Sequence, residues 1–245
     1  MTTPRLVTVD GEQLHVVVRG STGRVVVLCS GLAGKWSDWD DVTDLLATDH
    51  IVVRFDRPGL GSSPAPKSDY KPTVRAEAHR IAAVLDAVGR TAAVTLVGHS
   101  LGGFYAEGFA RLYPDRTAAL LLLDSSVAEP AGPRLLPKRV QTATHTVLNG
   151  LSNYLGAVVR ENNAYSDLGE EVLDLRRHAP IQAVSVAVAV ATGRYRTPWA
   201  NKWLDQQRVL AEELGADLTI ITPSGHRVMV DRPDETARLI RELSR

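Results

Sequence analysis

Residues 93–103 read Ala93-Val94-Thr95-Leu96-Val97-Gly98-His99-Ser100-Leu101-Gly102-Gly103, and this stretch decides the fold. The first five residues form a short, largely apolar run, the pattern of a strand covered on both faces. Leu101 to Tyr113 has helical spacing and stops before Pro114. Between strand and helix lies G-x-S-x-G. A sharp turn there presents the serine hydroxyl at the sheet edge, and the glycines are needed because the turn leaves no room for side chains. A serine between two glycines is more often an ordinary turn. The strand before it and the helix after it are what the motif's mechanics demand.

Outward from this turn the same rhythm repeats. Strands are expected at Leu14–Arg19, after the turn signal Asp10-Gly11, and at Val25–Cys29, Ile51–Phe55, Ala118–Leu123, Val184–Ala191 and Leu218–Thr222. Helices are expected at Trp39–Leu46, Thr73–Val88, Ala200–Leu214 and Asp234–Leu243. This alternation predicts an α/β fold, a mostly parallel twisted sheet with helices on both faces. The rhythm breaks between residues 127 and 180, which carry Pro130, Pro133, Pro137 and Pro180 and helix-like pieces such as Arg139–Leu148 and Glu170–Arg177. Residues 1–126 and 181–245 are therefore expected to form the core, and 127–180 a small helical cap above Ser100. Leu135, Leu136, Val140, Val147, Leu148, Leu151, Tyr154 and Leu155 offer that cap an apolar underside.

Composition narrows the function classes. The 245 residues hold 28 Lys and Arg against 28 Asp and Glu, so no basic footprint for nucleic acid exists. Cys29 is the only cysteine, which excludes an intramolecular disulfide and a cysteine-cluster metal site. It reads as an inert core thiol. No apolar run approaches the ~20 residues of a membrane span. The opening MTTPRLVTVDGEQ has no apolar core after a positive segment, so no signal peptide is expected. The expectation is a cytoplasmic protein with a small-molecule substrate, no membrane span and no metal or cofactor. Nothing in the sequence specifies an oligomeric state. The 127–180 segment is itself balanced, with six basic and six acidic residues, so it favours no charged substrate.

Four pieces together resemble the α/β-hydrolase superfamily in order and spacing, over about residues 10 to 243. They are Ser30-Gly31-Leu32, Asp56-Arg57-Pro58-Gly59-Leu60-Gly61-Ser62, Gly98-His99-Ser100-Leu101-Gly102-Gly103 and Ser224-Gly225-His226. The resemblance is to serine-nucleophile, esterase- or lipase-like members. It implies Ser100 as nucleophile. A serine hydroxyl needs a base, and of seven histidines the resemblance selects His226, in a loop after the last strand. The third member orients that histidine. In much of the family it follows the penultimate strand, but Gly193-Arg194-Tyr195-Arg196 has no acid, and none occurs from Leu175 through Leu204. Asp124, ending the Ala118–Leu123 strand, is the favoured acid, with Asp205 the alternative; Ser100, Asp124, His226 keeps the Ser…Asp…His order.

The oxyanion of acyl transfer needs donors. The motif assigns one to the Leu101 N–H, and the resemblance assigns the other to Leu32. Ser30 stands where many members have His, which puts the packing of that loop in question. The 56–62 turn reads as structural, tied down by Asp56 or Arg57. Trp36 and His99, the latter pointing away from the nucleophile, are candidates for the pocket wall. The expected function is cofactor-independent hydrolysis of a small, uncharged carboxylic ester through an acyl-enzyme. C–C bond, thioester or amide hydrolysis, haloperoxidase-like perhydrolysis and cyanohydrin cleavage are alternatives, as is a non-catalytic ligand-binding role. Ser100 in place of a carboxylate argues against epoxide hydrolase and dehalogenase chemistry. Cys29–Gly34 lacks G-x-G-x-x-G, which argues against a dinucleotide site.

Overall fold

Alternate residues of a strand face opposite sides of its sheet, and the apolar central strands feed two separate cores. Val27, Cys29, Val53, Leu96, Leu120 and Leu122 enter one layer, while Val26, Leu28, Val52, Val97, Leu121 and Leu123 enter the other. A computed structural model describes residues 3–66, 70–128, 153–182, 184–194 and 197–245. Its strands are β1 (Thr3–Val9), β2 (Glu12–Arg19), β3 (Val25–Cys29), β4 (Ile51–Phe55), β5 (Val94–His99), β6 (Thr117–Leu123), β7 (Ser185–Ala191) and β8 (Asp217–Ile221). They form one sheet in the order β1-β2-β4-β3-β5-β6-β7-β8. Only β1 with β2 and β2 with β4 pair antiparallel. All other neighbours are parallel, as the expected fold class requires.

The described helices are α1 (Asp40–Leu46), α2 (Val74–Ala87), α3 (Gly102–Leu112), α4 (Asn153–His178), α5 (Pro198–Leu214), α6 (Val228–Asp231) and α7 (Pro233–Leu243). Residues of α2 to α5 pack into the first layer, and residues of α1, α6 and α7 into the second. Among the described residues no helix is long and apolar enough to cross a membrane.

Besides the short helix α6, which the sequence reading does not contain, two elements differ from it. The first is β1, a strand ahead of the Asp10-Gly11 turn. It is an edge strand with Leu6 54% exposed, so its apolar alternation is weak. Asp10 and Gly11 both have positive φ, 51° and 76°, the turn chemistry of a two-residue hairpin.

The second is α4. The Glu170–Arg177 piece is only the end of a 26-residue helix. Its buried residues include Ala157, Glu161, Ala164, Leu168, Val172 and Leu175. Their spacing is helical, but alanine and glutamate at the first three positions hide the apolar period. Tyr154 and Leu155, expected on an apolar underside, are each 43% exposed. Leu135, Leu136, Val140, Val147, Leu148 and Leu151, and the helix-like piece 139–148, lie outside the described residues.

Helix α4 is fastened to the core through polar side chains. Glu171 accepts from the Val74 and Arg75 N–H groups at the start of α2, at 2.6 and 3.1 Å, where a carboxylate satisfies orphan donors. Arg176 donates to both carboxylate oxygens of Glu107 on α3, at 2.8 and 2.9 Å.

Candidate active site

In an open α/β sheet, ligands bind beyond the carboxyl ends of the parallel strands. The sequence-predicted residues Leu32, Ser100, Asp124 and His226 follow β3, β5, β6 and β8 respectively, all at that edge.

Ser100 has φ +50°, a left-handed conformation that costs a non-glycine residue on the order of 1–3 kcal/mol. The surrounding backbone enforces it. A Cβ on Gly98 would lie 2.6 Å from Gly103 Cα, and one on Gly102 would lie 2.3 Å from the Cys29 carbonyl oxygen. The turn is therefore pressed between β3 and α3, and neither flanking glycine can be replaced without moving backbone. The Gly103 N–H donates to the Ser100 carbonyl at 2.9 Å.

Asp124 also has a positive φ, 44°. Its carboxylate is buried and has three partners. Oδ1 accepts from the Ala191 N–H and from Trp203 Nε1–H, both at 2.9 Å. Oδ2 lies 2.5 Å from His226 Nδ1. The structure thus brings Asp124 and His226 together. Asp205, the alternative acid, sits exposed on α5 and pairs with Arg208 at 2.7 Å. It is a solvated helix-face residue, and that alternative is corrected. Gly193 and Arg194 carry no acid to His226, and residues 195–196 lie outside the described residues.

Ser100 and His226 line one cavity of about 600 Å³, together with Gly31, Leu32, His99 and Tyr154. No direct hydrogen bond joins Ser100 to His226. The His226 side chain is 48% exposed, so its ring has room to adjust when a ligand enters. Lys35, Asp38 and Arg227 also line this cavity, and the last two form an ion pair at 2.8 Å.

His99 lines the cavity as expected, but its chemistry is structural. It is buried, its Nε2 lies 2.8 Å from the His226 carbonyl oxygen, and its ring packs 4.7 Å from that of His226. Accepting is the carbonyl's only role, so Nε2 carries the proton. Burial, and then the neighbouring His226, push its pKa down to about 4. Trp36 does not line the cavity. Its N–H donates to Asp56 Oδ1 at 2.8 Å, its carbonyl accepts from Arg54, and the Arg54 guanidinium lies 4.8 Å from its ring centre. The short 3-10 turn Trp36–Trp39 turns that ring toward Arg54 and His15, so the pocket-wall expectation is corrected.

The loop after β3 is held by side chains the sequence reading left in question. Ser30 Oγ accepts from the buried Trp39 Nε1–H at 3.0 Å and donates to the Lys35 carbonyl at 3.3 Å, which explains how the loop packs without a histidine. Arg57 Nη1 donates to the Ser30 carbonyl at 2.6 Å and Nη2 to the Gly31 carbonyl at 2.7 Å. Its other face meets Glu161 of α4 at 2.5 and 2.9 Å. Burial opposes the Arg57 charge, but Glu161 outweighs it and raises its pKa above the usual arginine range. Asp56 is buried and accepts from the Trp36 and Ser62 N–H groups at 2.8 and 2.9 Å, so the 56–62 turn is tied down by both residues, as its reading as structural requires. Among the described residues, the Leu32 and Leu101 N–H groups donate to no backbone carbonyl, which leaves both free for a ligand. Cys29 is buried, and burial pushes its thiol up to about 12, keeping it un-ionised. No group of three or more His, Cys, Asp or Glu among the described residues is placed to hold a metal ion.

Sequence reasoning missed Trp203 and Glu161. Trp203 lay in a helical run with no marked feature, and Glu161 counted only as one charge in a balanced segment.

Comparison with known proteins agrees with this architecture. The chain is similar to the cis-3-alkyl-4-alkyloxetan-2-one decarboxylase of Shewanella oneidensis, 27% identical over 164 residues, 66% of this chain and 49% of that protein. It is also similar to bifunctional epoxide hydrolase 2 of Sus scrofa, 29% identical over 131 residues, 53% of this chain and 23% of that one. These matches span about half or less of the relatives' length. Among solved structures, the enol-lactonase of Burkholderia xenovorans superposes with a TM-score of 0.71 at 21% identity, covering 98% of this chain and 99% of that one. The esterase of Thermogutta terrifontis does so with a TM-score of 0.71 at 21% identity, covering 99% and 97%. Residues 26–239 match the alpha/beta hydrolase family, and the chain belongs to it.

Proposed function

We propose that this alpha/beta hydrolase is a serine hydrolase of a small, uncharged carboxylic ester, working through a Ser100–His226–Asp124 triad and an acyl-enzyme. The observation that carries the reading is the 2.5 Å contact between His226 Nδ1 and the buried Asp124 carboxylate, behind the cavity that His226 and Ser100 both line. A carboxylate held there keeps the proton on Nδ1, so Nε2 is the basic nitrogen. Ser100 Oγ attacks the acyl carbon as Nε2 takes its proton. The tetrahedral oxyanion is bound by the Leu32 and Leu101 N–H groups. Collapse expels the alcohol, which receives that proton. Water, deprotonated by His226, then attacks the acyl-enzyme, and the carboxylic acid leaves as Ser100 regains its hydrogen.

One structurally similar protein is named an enol-lactonase, an enzyme that opens a cyclic ester, which supports an ester as the bond attacked. Ser100, a neutral nucleophile, supports ester rather than epoxide opening. Of the segment expected to cap this site, helix α4 is the described part, and its Tyr154 lines the cavity.

The test is turnover of p-nitrophenyl acyl esters and simple lactones by the purified protein and by Ser100→Ala. Loss on the order of 10⁶-fold in kcat is expected where the hydroxyl is the nucleophile. Turnover that survives the substitution contradicts the mechanism.

A further inference from the structure

We infer that the buried Arg57–Glu161 pair sets the oxyanion hole, with helix α4 holding the Leu32 N–H in its working orientation. This rests on the acyl-transfer reading above and adds positioning residues to it.

The argument begins with peptide geometry. A trans peptide is planar, and its C=O and N–H point in opposite directions. The Gly31 carbonyl and the Leu32 N–H belong to one such unit. Arg57 Nη2 binds that carbonyl at 2.7 Å, and Nη1 binds the carbonyl of the preceding unit, Ser30, at 2.6 Å. The Gly34 N–H also donates to the Gly31 carbonyl, at 3.0 Å, and with the guanidinium it constrains where the other side of the unit aims. Leu32 is 36% exposed, so its own packing does little to hold the loop. The next residue, Ala33, has φ +59°, a strained conformation that needs outside support.

Arg57 is itself fixed by Glu161, 104 residues away in the chain, through two bonds. Both side chains are 4% exposed. A buried cation without its partner is strongly unfavourable, so the position of Arg57 follows that of Glu161. Helix α4 touches the same loop a second time, where the Tyr154 hydroxyl donates to the Ala33 carbonyl at 3.1 Å. The close packing of α4 on the Arg57 turn makes the coupling stiff: a Cβ on Gly59 would lie 3.0 Å from Ala157 Cβ.

The experiment compares wild type, Glu161→Gln and the double variant Arg57→Met/Glu161→Leu. Each is checked for folding by thermal unfolding and assayed on a p-nitrophenyl ester, with kcat normalised to active sites titrated by a fluorophosphonate. An alkylboronic acid, whose tetrahedral adduct needs the hole, supplies a second readout. The double variant removes both charges together, so no unpaired charge is buried, and it is expected to fold with an unfolding temperature moderately below wild type because the Ser30 carbonyl loses its guanidinium donor. Its kcat is expected to fall about 10- to 100-fold, with KM within about twofold and boronate affinity falling in step with kcat. A pair that serves stability alone would give a folded double variant with wild-type kcat, and that result overturns the inference. If the double variant does not fold, the isosteric Glu161→Gln decides: an unchanged kcat and boronate affinity overturn the inference, and a fall in both at constant KM supports it. A wild type that neither turns over esters nor labels at Ser100 overturns the acyl-transfer reading and this inference with it. An active wild type with equally active variants overturns only the coupling.

Discussion

The Asp124 carboxylate is an unusually complete hydrogen-bond acceptor for a strand-end residue. Ala191 N–H and Trp203 Nε1–H hold one oxygen, and His226 Nδ1 meets the other. Two fixed donors on Oδ1 leave Oδ2 a single available direction, so the imidazole is oriented as well as charged against. Asp205 has none of this; its partner is a surface arginine one helical turn away. The two acids therefore separate cleanly. Asp124→Asn is expected to lower kcat on the order of 10³- to 10⁴-fold, because an amide stabilises the wrong tautomer of His226. Asp205→Asn is expected to leave kcat within about twofold, since exposed ion pairs contribute little. Steady-state kinetics on one ester measure both, and a loss confined to Asp205→Asn would contradict the assignment. Position made this legible from sequence: the lack of acids between 175 and 204 pointed back to Asp124. Trp203 was not legible, because its role depends on α5 lying across the end of β6, which no local pattern encodes.

Strands and helices with regular apolar periods were legible, and those whose buried faces are polar or small were not. β3 to β8 are bounded within a residue or two of the sequence reading, because apolar runs between turn residues mark buried parallel strands. The G-x-S-x-G turn was legible for a steric reason, since its glycines face backbone atoms at 2.6 and 2.3 Å. Helix α4 escaped over most of its length. It docks through Glu161, Glu171 and Arg176, side chains that a hydrophobic pattern places in solvent. The pocket wall failed at Trp36 for a related reason: the loop after β3 makes a 3-10 turn, and no helical or strand period says which way its ring faces.

Across the whole molecule, folding buries His99, the last residue of β5, against the loop that carries His226. Its pKa is pushed down from 6.5 to about 4. The unfolded chain then takes up a proton near pH 6.5 that the folded protein refuses until near pH 4. This contribution to stability is fully present above pH 6.5 and is lost as pH falls toward 4. At about pH 4.5 the loss from this residue relative to pH 7.5 is on the order of 2 to 3 kcal/mol. Denaturant unfolding at the two pH values should show that extra acid sensitivity in wild type and not in His99→Gln, and equal slopes in both proteins would contradict it. The same buried histidine anchors the His226 carbonyl, so acid weakens the fold where the site is built.

The central claim is that one cavity, lined by the loops after β3, β5 and β8 with Asp124 at the end of β6 behind His226, makes Ser100 a nucleophile. The most direct measurement is intact-mass spectrometry with peptide mapping after exposure to a fluorophosphonate, on wild type and His226→Ala. One adduct per chain, mapped to Ser100 and formed at least about 100-fold more slowly without His226, is the predicted result. An unlabelled wild type, or a label at Ser100 whose rate is indifferent to His226, would contradict the account.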